Sequence, residues 1–330
     1  MSGALAPLER ALLDGWQRDF PLCPRPYRAI AGELGADEEE VLAALARMSG
    51  VGLISRIGAA VRPNTAGASL LAAMRVPAGA MDDVAEIVNR EPGVNHNYER
   101  EHEINLWFVV TGRDRRAVSE TLARIRRASG FDILELPLER AYYIDLGFPL
   151  SGERSGARRA AANPWCPAAA WLIDGLDRDL LALLGEGLTV EASPYLTLAR
   201  RTGIGEAEVI ERLGRLQRLG VIARFGLIVR HRELGFRANA MAVWDVPDGD
   251  VDRVGERLAA ESYVSLCYRR PRRLPDWPFN LFCMVHGRDR DIVTAQVAEL
   301  TRCGGLEDRP HAVLFSRRCF RQRGAHLAAA

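Results

Sequence analysis

One short stretch holds most of the chemistry this sequence could perform. Between Val94 and His102 the chain reads Val-Asn-His-Asn-Tyr-Glu-Arg-Glu-His. Side chains of an extended strand alternate between its faces, so Val94, His96, Tyr98, Arg100 and His102 should share one face and Asn95, Asn97, Glu99 and Glu101 the other. Two imidazoles, a phenol and a guanidinium then line up within about 20 Å. Imidazole gives or takes a proton near neutral pH, whereas guanidinium stays charged and grips carboxylates. A solvated polar row is the other reading of this pattern, and a single histidine on a strand is more often structural than reactive.

A second version of the stretch follows 170 residues later, with Val264, Leu266, Tyr268, Arg270 and Arg272 on the equivalent face. Tyrosine and the first arginine are kept, while His96 is replaced by Leu266 and His102 by Arg272. The connection beyond it, through Pro271, Leu274, Pro275, Asp276, Trp277 and Pro278, is five residues longer than its counterpart. Arg269, Arg270, Arg272 and Arg273 make a local basic cluster. Such a cluster is either a solvated charge run or a clamp for carboxylates, which guanidinium forks bind in bidentate geometry.

These stretches belong to a duplication that spans the chain. Residues 8–67 register without a gap on 176–235, with Pro26-Tyr27 on Pro194-Tyr195, Gly35 on Gly203 and Arg56-Ile57-Gly58 on Arg224-Phe225-Gly226. Further on, Asn105-Leu106 falls on Asn280-Leu281 and Gly112-Arg113-Asp114-Arg115 on Gly287-Arg288-Asp289-Arg290. A repeat this long means two copies of one structural unit.

Apolar spacing predicts three helices in the first copy, over Leu8–Trp16, Tyr27–Leu34 and Asp37–Met48, the last with Val41, Leu42 and Leu45 as its apolar stripe. A hairpin turning at Gly58 should follow, which makes a winged helix-turn-helix. The pattern then changes to strand 69–76, helix 81–89, strands 94–102 and 105–111, helix 115–128 and a last strand 133–144. That order, βαββαβ, is the ferredoxin-like unit, an antiparallel sheet with helices on one face. The expected fold is therefore α+β, a tandem duplication of a winged helix-turn-helix followed by a ferredoxin-like domain. The boundaries read 1–66 and 67–148 for the first copy, 149–171 for a small, polar, proline-containing linker, and 172–235 and 236–330 for the second. Each sheet leaves one face uncovered, and the other copy is the expected cover, so that one chain mimics a dimer.

Composition narrows the classes. With 330 residues, 48% hydrophobic and 26% charged, the chain has room for several cores, and 44 basic against 43 acidic residues produce no global pull toward nucleic acid or an anionic surface. There is no charged and apolar leader at Met1-Ser2-Gly3-Ala4 and no apolar run of membrane length, so a cytoplasmic location with no membrane partner is expected. Cys23, Cys166, Cys267, Cys283, Cys303 and Cys319 form no C-x-x-C pair, which fits reduced thiols rather than a disulfide frame or zinc site.

The winged helix-turn-helix followed by βαββαβ resembles the Lrp/AsnC family of regulators, whose second module binds effectors and drives dimerisation. Taken alone, that implies a DNA-binding regulator or, in a variant reading, a tetrapyrrole sensor. The third helices weigh against DNA. They open on Asp37-Glu38-Glu39-Glu40 and Gly205-Glu206-Ala207-Glu208, carboxylates that would face a polyanion and that also have a local use at a helix N-terminus, worth ~0.3–1 kcal/mol each.

Gly93 to His102 running into Asn105-Leu106-Trp107-Phe108, and Cys267-Tyr268-Arg269-Arg270 followed by Trp277-Pro278-Phe279-Asn280-Leu281-Phe282-Cys283-Met284, resemble the two subunit signatures of the sirohaem decarboxylase family (NirD/NirL and AhbA/AhbB type). The resemblance covers both halves and implies that two subunit types are fused here. It further implies loss of carbon dioxide from the ring C and D acetates of sirohaem, giving 12,18-didecarboxysirohaem in haem d1 or alternative haem synthesis, with no cofactor besides the iron the substrate carries. Under that reading His96 or His102 donates the proton that replaces carbon dioxide, and Tyr98 assists. Arg100, Tyr268, Arg270, Arg272 and Arg273 hold the substrate. Trp107 and Trp277 either stack on the macrocycle or pack the core, and one of the two histidines could instead ligate the substrate iron. Homo-oligomers and separate related subunits remain open as further partners.

Overall fold

The computed structural model describes residues 5–144, 147 and 172–324, so the linker expected at 149–171 lies outside the described residues. The first copy runs α1 (Pro7–Gly15), α2 (Pro26–Leu34), α3 (Glu38–Gly50), β1 (Ile54–Val61), β2 (Ala68–Met74), α4 (Met81–Arg90), β3 (Val94–Arg100), β4 (Leu106–Gly112), α5 (Arg115–Ser129), β5 (Leu134–Leu136) and β6 (Arg140–Ile144). The second runs α6 (Gly175–Glu186), α7 (Pro194–Thr202), α8 (Glu206–Arg218), β7 (Ile222–Val229), β8 (Ala238–Trp244), α9 (Val251–Ala259), β9 (Val264–Arg269), β10 (Leu281–Gly287), α10 (Arg290–Gly304) and β11 (His311–Gln322). Like segments group with like. One compact unit holds both helix-turn-helix segments, the described residues up to Ala66 and from Leu172 to Leu234, and the other holds both βαββαβ modules.

In the helix-turn-helix unit each three-helix set buries one stripe, Val41, Ala44, Leu45 and Met48 of α3 against Leu12 and Leu13 of α1 in the first. The acids that open α3 are used locally: the Asp37 amide donates to Glu40 Oε2 (3.1 Å), and Glu38 pairs with Arg25.

The expected hairpin at Gly58 does not form. β1 is one continuous strand antiparallel to β7, with Gly58 directly opposite Gly226. Both glycines mark close approach rather than a turn. A Cβ on Gly58 would collide with the Leu184 carbonyl oxygen, and one on Gly226 with the backbone of Trp16 and Gln17. The neighbouring bonds explain the squeeze: the Leu188 amide donates to Ile57 O and the Leu227 amide to Trp16 O, both at 2.7 Å.

The second unit is a sheet of nine strands in the order β5-β2-β4-β3-β11-β8-β10-β9-β6. The last strand of each module divides between the two. β5 pairs with β2 of its own module while β6 pairs with β9 of the other; likewise the first part of β11 pairs with β8 and its continuation with β3. The two modules of one chain thus complete each other's sheets. Helices α4 and α5 cover one side of the first sheet and α9 and α10 one side of the second, each over its own apolar core. A third core lies between the modules, where Leu71, Ala73, Trp107 and Leu136 meet Met241, Val243, Phe282 and Leu314. Strands covered on both sides read as near-continuous apolar runs, as β2 does from Leu70 to Met74: Ala72 and Met74 face the helices, Leu71 and Ala73 the shared core. Among the described residues no helix is long and apolar enough to cross a membrane.

Candidate functional site

The informative strand β3 is not regular. Val94 pairs with Val110 and His96 with Val109, so Asn95 is an extra residue, a bulge. The bulge reverses the alternation on its two sides. Val94 therefore belongs to the helix-side core, as does Asn97, whose amide donates to Ala85 O (3.2 Å) and Asn89 Oδ1 (3.1 Å). The expectation that Val94 shares a face with the polar row is corrected accordingly. His96, Tyr98 and Arg100 do share one face, the face turned toward the other module.

His96 and Tyr98 are both part-exposed, with ring centroids 6.2 Å apart and planes inclined by 16°. The Arg100 guanidinium lies 5.8 Å from the Tyr98 ring centre. It is buried, donates to Leu314 O (3.1 Å) and approaches Met284 Sδ (3.8 Å), while its Nε has no partner. Burial pulls its pKa down, with Tyr268 and Tyr98 opposing.

The second module repeats the arrangement. Arg270 lies 4.6 Å over the Tyr268 ring and donates to Leu136 O (2.5 Å), and its Nε is also buried without a partner. Leu136 and Leu314 occupy equivalent places, opposite Leu71 and Met241 in their own sheets. Each arginine thus reaches across to the matching carbonyl of the other copy. Burial lowers the Arg270 pKa too, and raises that of the Tyr268 phenol, which stays protonated. Among the described residues neither guanidinium has a carboxylate partner. The Arg100 charge, held out of water without a counter-ion, is costly unless a ligand supplies one, and the half-buried Arg270 is open to the same kind of partner.

The other arginines of the cluster are already committed. Arg272 pairs with Asp245 (2.6 Å) and Asp248 (2.7 Å), Arg269 pairs with Glu139 (2.9 Å), and the exposed Arg273 donates to the Glu135 and Arg272 carbonyls. A depression of about 210 Å³ lined by Glu139, Asp248, Arg269, Arg270, Pro271, Arg272 and Asn280 carries its own acids and is smaller than the ~300–1,000 Å³ of ordinary ligand sites.

His102 stands apart from His96. It lies in the turn after β3, where its Nδ1 accepts the Ile104 amide (3.1 Å) and its ring sits edge-on to Trp277 at 5.5 Å. Burial lowers its pKa, so the neutral ring carries its proton on Nε2. Trp107 and Trp277 are 2% and 0% exposed and pack on one another at 5.0 Å, Trp277 also against Phe279 and Phe282. They fill the core between the modules. Among the described residues no group of three or more His, Cys, Asp or Glu is placed to hold a metal ion.

One imidazole escaped the sequence reading. His286 of β10 lies two residues from Met284 on the same face, with its Nδ1 2.7 Å from Ser265 Oγ. The signal was available, because the register that matches Asn105 to Asn280 sets His286 opposite Thr111.

Comparison with known proteins agrees with this architecture. A profile of the siroheme decarboxylase NirDL-like HTH domain matches residues 9–54 and 177–222, and one of the AsnC-like ligand binding domain matches 66–142 and 233–321. The siroheme decarboxylase NirDL subunit of Paracoccus denitrificans (strain Pd 1222) is 48% identical over 324 residues, covering 97% of either chain. A crystal structure of the siroheme decarboxylase NirDL superposes with a TM-score of 0.68 at 26% identity over 97% of this chain and 94% of that one. A second, of NirDL in complex with an iron-uroporphyrin III analogue, gives the same score and identity over 97% and 95%. With matching profiles in both copies and a full-length relative at this identity, the chain belongs to the sirohaem decarboxylase family, in its two-copy NirDL form.

Proposed function

We propose that this chain removes carbon dioxide from the ring C and D acetates of sirohaem, leaving methyl groups and giving 12,18-didecarboxysirohaem. The observation that carries the reading is the pair Arg100, buried, and Arg270, half-buried, at the junction of the modules, neither with a carboxylate partner among the described residues. Sirohaem is a flat apolar macrocycle edged with carboxylates, and two such guanidiniums on an apolar face suit the carboxylates that stay.

Breaking the bond between the acetate methylene and its carboxyl carbon leaves an electron pair that the macrocycle delocalises. An acid must then protonate the methylene carbon. His96 is the better placed of the two candidate acids, since it shares the face and lies beside Tyr98, which orients it. His102 is kept neutral chiefly by burial, with its Nδ1 taken up by the Ile104 amide, and would have to surrender that bond or move its proton to act as acid or iron ligand. Arg272 and Arg273 support the loop through partners of their own rather than the substrate. The reaction so written uses no cofactor beyond the substrate's own iron. Because each module's last strand completes the other's sheet, one chain holds both halves of the proposed site.

Anaerobic incubation of the purified chain with sirohaem, followed by product mass, tests the proposal. Loss of two carbon dioxide units is expected; a spectral shift without loss of mass would reduce the chain to a tetrapyrrole binder.

A further inference from the structure

The proposed reaction removes two carboxyl groups, yet the second copy has Leu266 where the first has His96. The structure supplies a replacement one strand away. Ser265 is the bulge residue of β9, the counterpart of Asn95, and is 1% exposed. Its Oγ donates to Met284 O (2.9 Å) and lies 2.7 Å from Nδ1 of His286. A serine hydroxyl has one proton to give. With that proton on the Met284 carbonyl, the His286 Nδ1–H donates to Ser265, which fixes the ring and leaves chemistry to Nε2. In β10 the face that carries His286 also carries Met284, which touches Arg100, and Phe282, which stacks on Tyr268.

We infer that His286, held by Ser265, is the proton donor for one of the two decarboxylations, as His96 is for the other. The inference rests on the proposed reaction. In this step the carbon–carbon bond to the carboxyl breaks, carbon dioxide leaves, and the electron pair stays with the methylene carbon. The imidazolium then passes its Nε2 proton to that carbon and returns to the neutral ring, to be reprotonated by solvent. Ser265 is a positioning residue: it acts by keeping Nδ1 occupied and the ring aimed.

Product mass against time under anaerobic single-turnover conditions separates the two losses. The parent should pass through the singly decarboxylated tetrapyrrole to the doubly decarboxylated one. His286→Gln should accumulate the singly decarboxylated species, its second loss slowed relative to the first by ~10²–10⁴-fold, the scale of a missing general acid. Ser265→Ala should shift the ratio in the same direction and Ser265→Thr, which keeps the hydroxyl, should restore it. Doubly decarboxylated product from His286→Gln at the parent rate overturns the inference, and so does equal slowing of both losses. Should His286→Gln fail to fold, an unchanged product ratio in Ser265→Ala overturns it alone. A parent chain that releases no carbon dioxide instead refutes the proposed reaction, a distinguishable result.

Discussion

Two regions of the molecule carry the same pair of side chains in different surroundings. In the first module Tyr98 is part-exposed with His96 beside it; in the second Tyr268 is buried under Phe282, with Leu266 in place of the histidine. Yet Arg100 and Arg270 are equivalent to the point of reaching for each other's counterpart carbonyl, Leu314 O and Leu136 O. The difference shows which parts of a duplicated unit are free to diverge. The arginines lie where the modules meet, so each is tied to both copies. The groups flanking them are tied to one, and there the copies part: His96 and an open face in the first, Leu266 and an aromatic filling in the second.

The strongest way to break this comparison is His96→Ala. If His96 supplies the proton for one of the two losses, that loss should slow by ~10²–10⁴-fold in a single turnover while sirohaem still binds, as read by the absorption spectrum. Parent-like rates for both losses would remove His96 from the chemistry. The aromatic filling is tested next, by Trp277→Ala. This ring is 0% exposed among Trp107, Phe279 and Phe282, so its loss should cost ~3–5 kcal/mol, visible as an earlier denaturation midpoint. A midpoint within error of the parent would mean that the second copy's face is not closed by packing.

The smallest effect concerns His102. Its folded pKa lies below the ordinary imidazole value of about 6.5, chiefly because of burial, so the folded chain binds fewer protons than the unfolded one. Stability should therefore fall as pH drops from about 6.5 toward the folded value, and His102→Gln should flatten that limb. A denaturation midpoint whose acid limb is the same in both chains contradicts the neutral, turn-building role.

How much of this was legible beforehand depended on range. Helix and strand order followed from local periodicity, and α5, with Val118, Leu122 and Ile125 buried at helical spacing, lies within a residue of its expected span. Pairing partners did not follow. Nothing in the period-2 pattern of residues 133–144 says that the segment leaves β2 after Leu136 and joins β9 at Arg140. Gly58 read as a turn because a turn and a close backbone approach both demand the missing Cβ. The bulge at Asn95 moved Val94 off the polar face, a one-residue event that composition does not announce. Residue types at the site were readable, but their partners were not. Arg270 and Arg272 look alike in sequence, and only the fold brings Asp245 and Asp248 to Arg272 and, among the described residues, no carboxylate pair to Arg270. His286 was passed over for a related reason, since its serine partner lies 21 residues away.

That contrast also defines the most direct test of the account, whose centre is that the two guanidiniums without carboxylate partners, Arg100 and Arg270, await substrate carboxylates. Iron-uroporphyrin III, titrated into the parent chain and into Arg100→Gln, Arg270→Gln and Arg272→Gln, reads it in one experiment. Losing a charge-assisted bond at Arg100 or Arg270 should weaken binding by ~1.5–3 kcal/mol, roughly 10- to 150-fold. Arg272→Gln, which breaks part-exposed ion pairs with Asp245 and Asp248, should leave the affinity within a few-fold of the parent. Unchanged binding in both Arg100→Gln and Arg270→Gln, or a loss at Arg272 equal to theirs, would contradict the assignment.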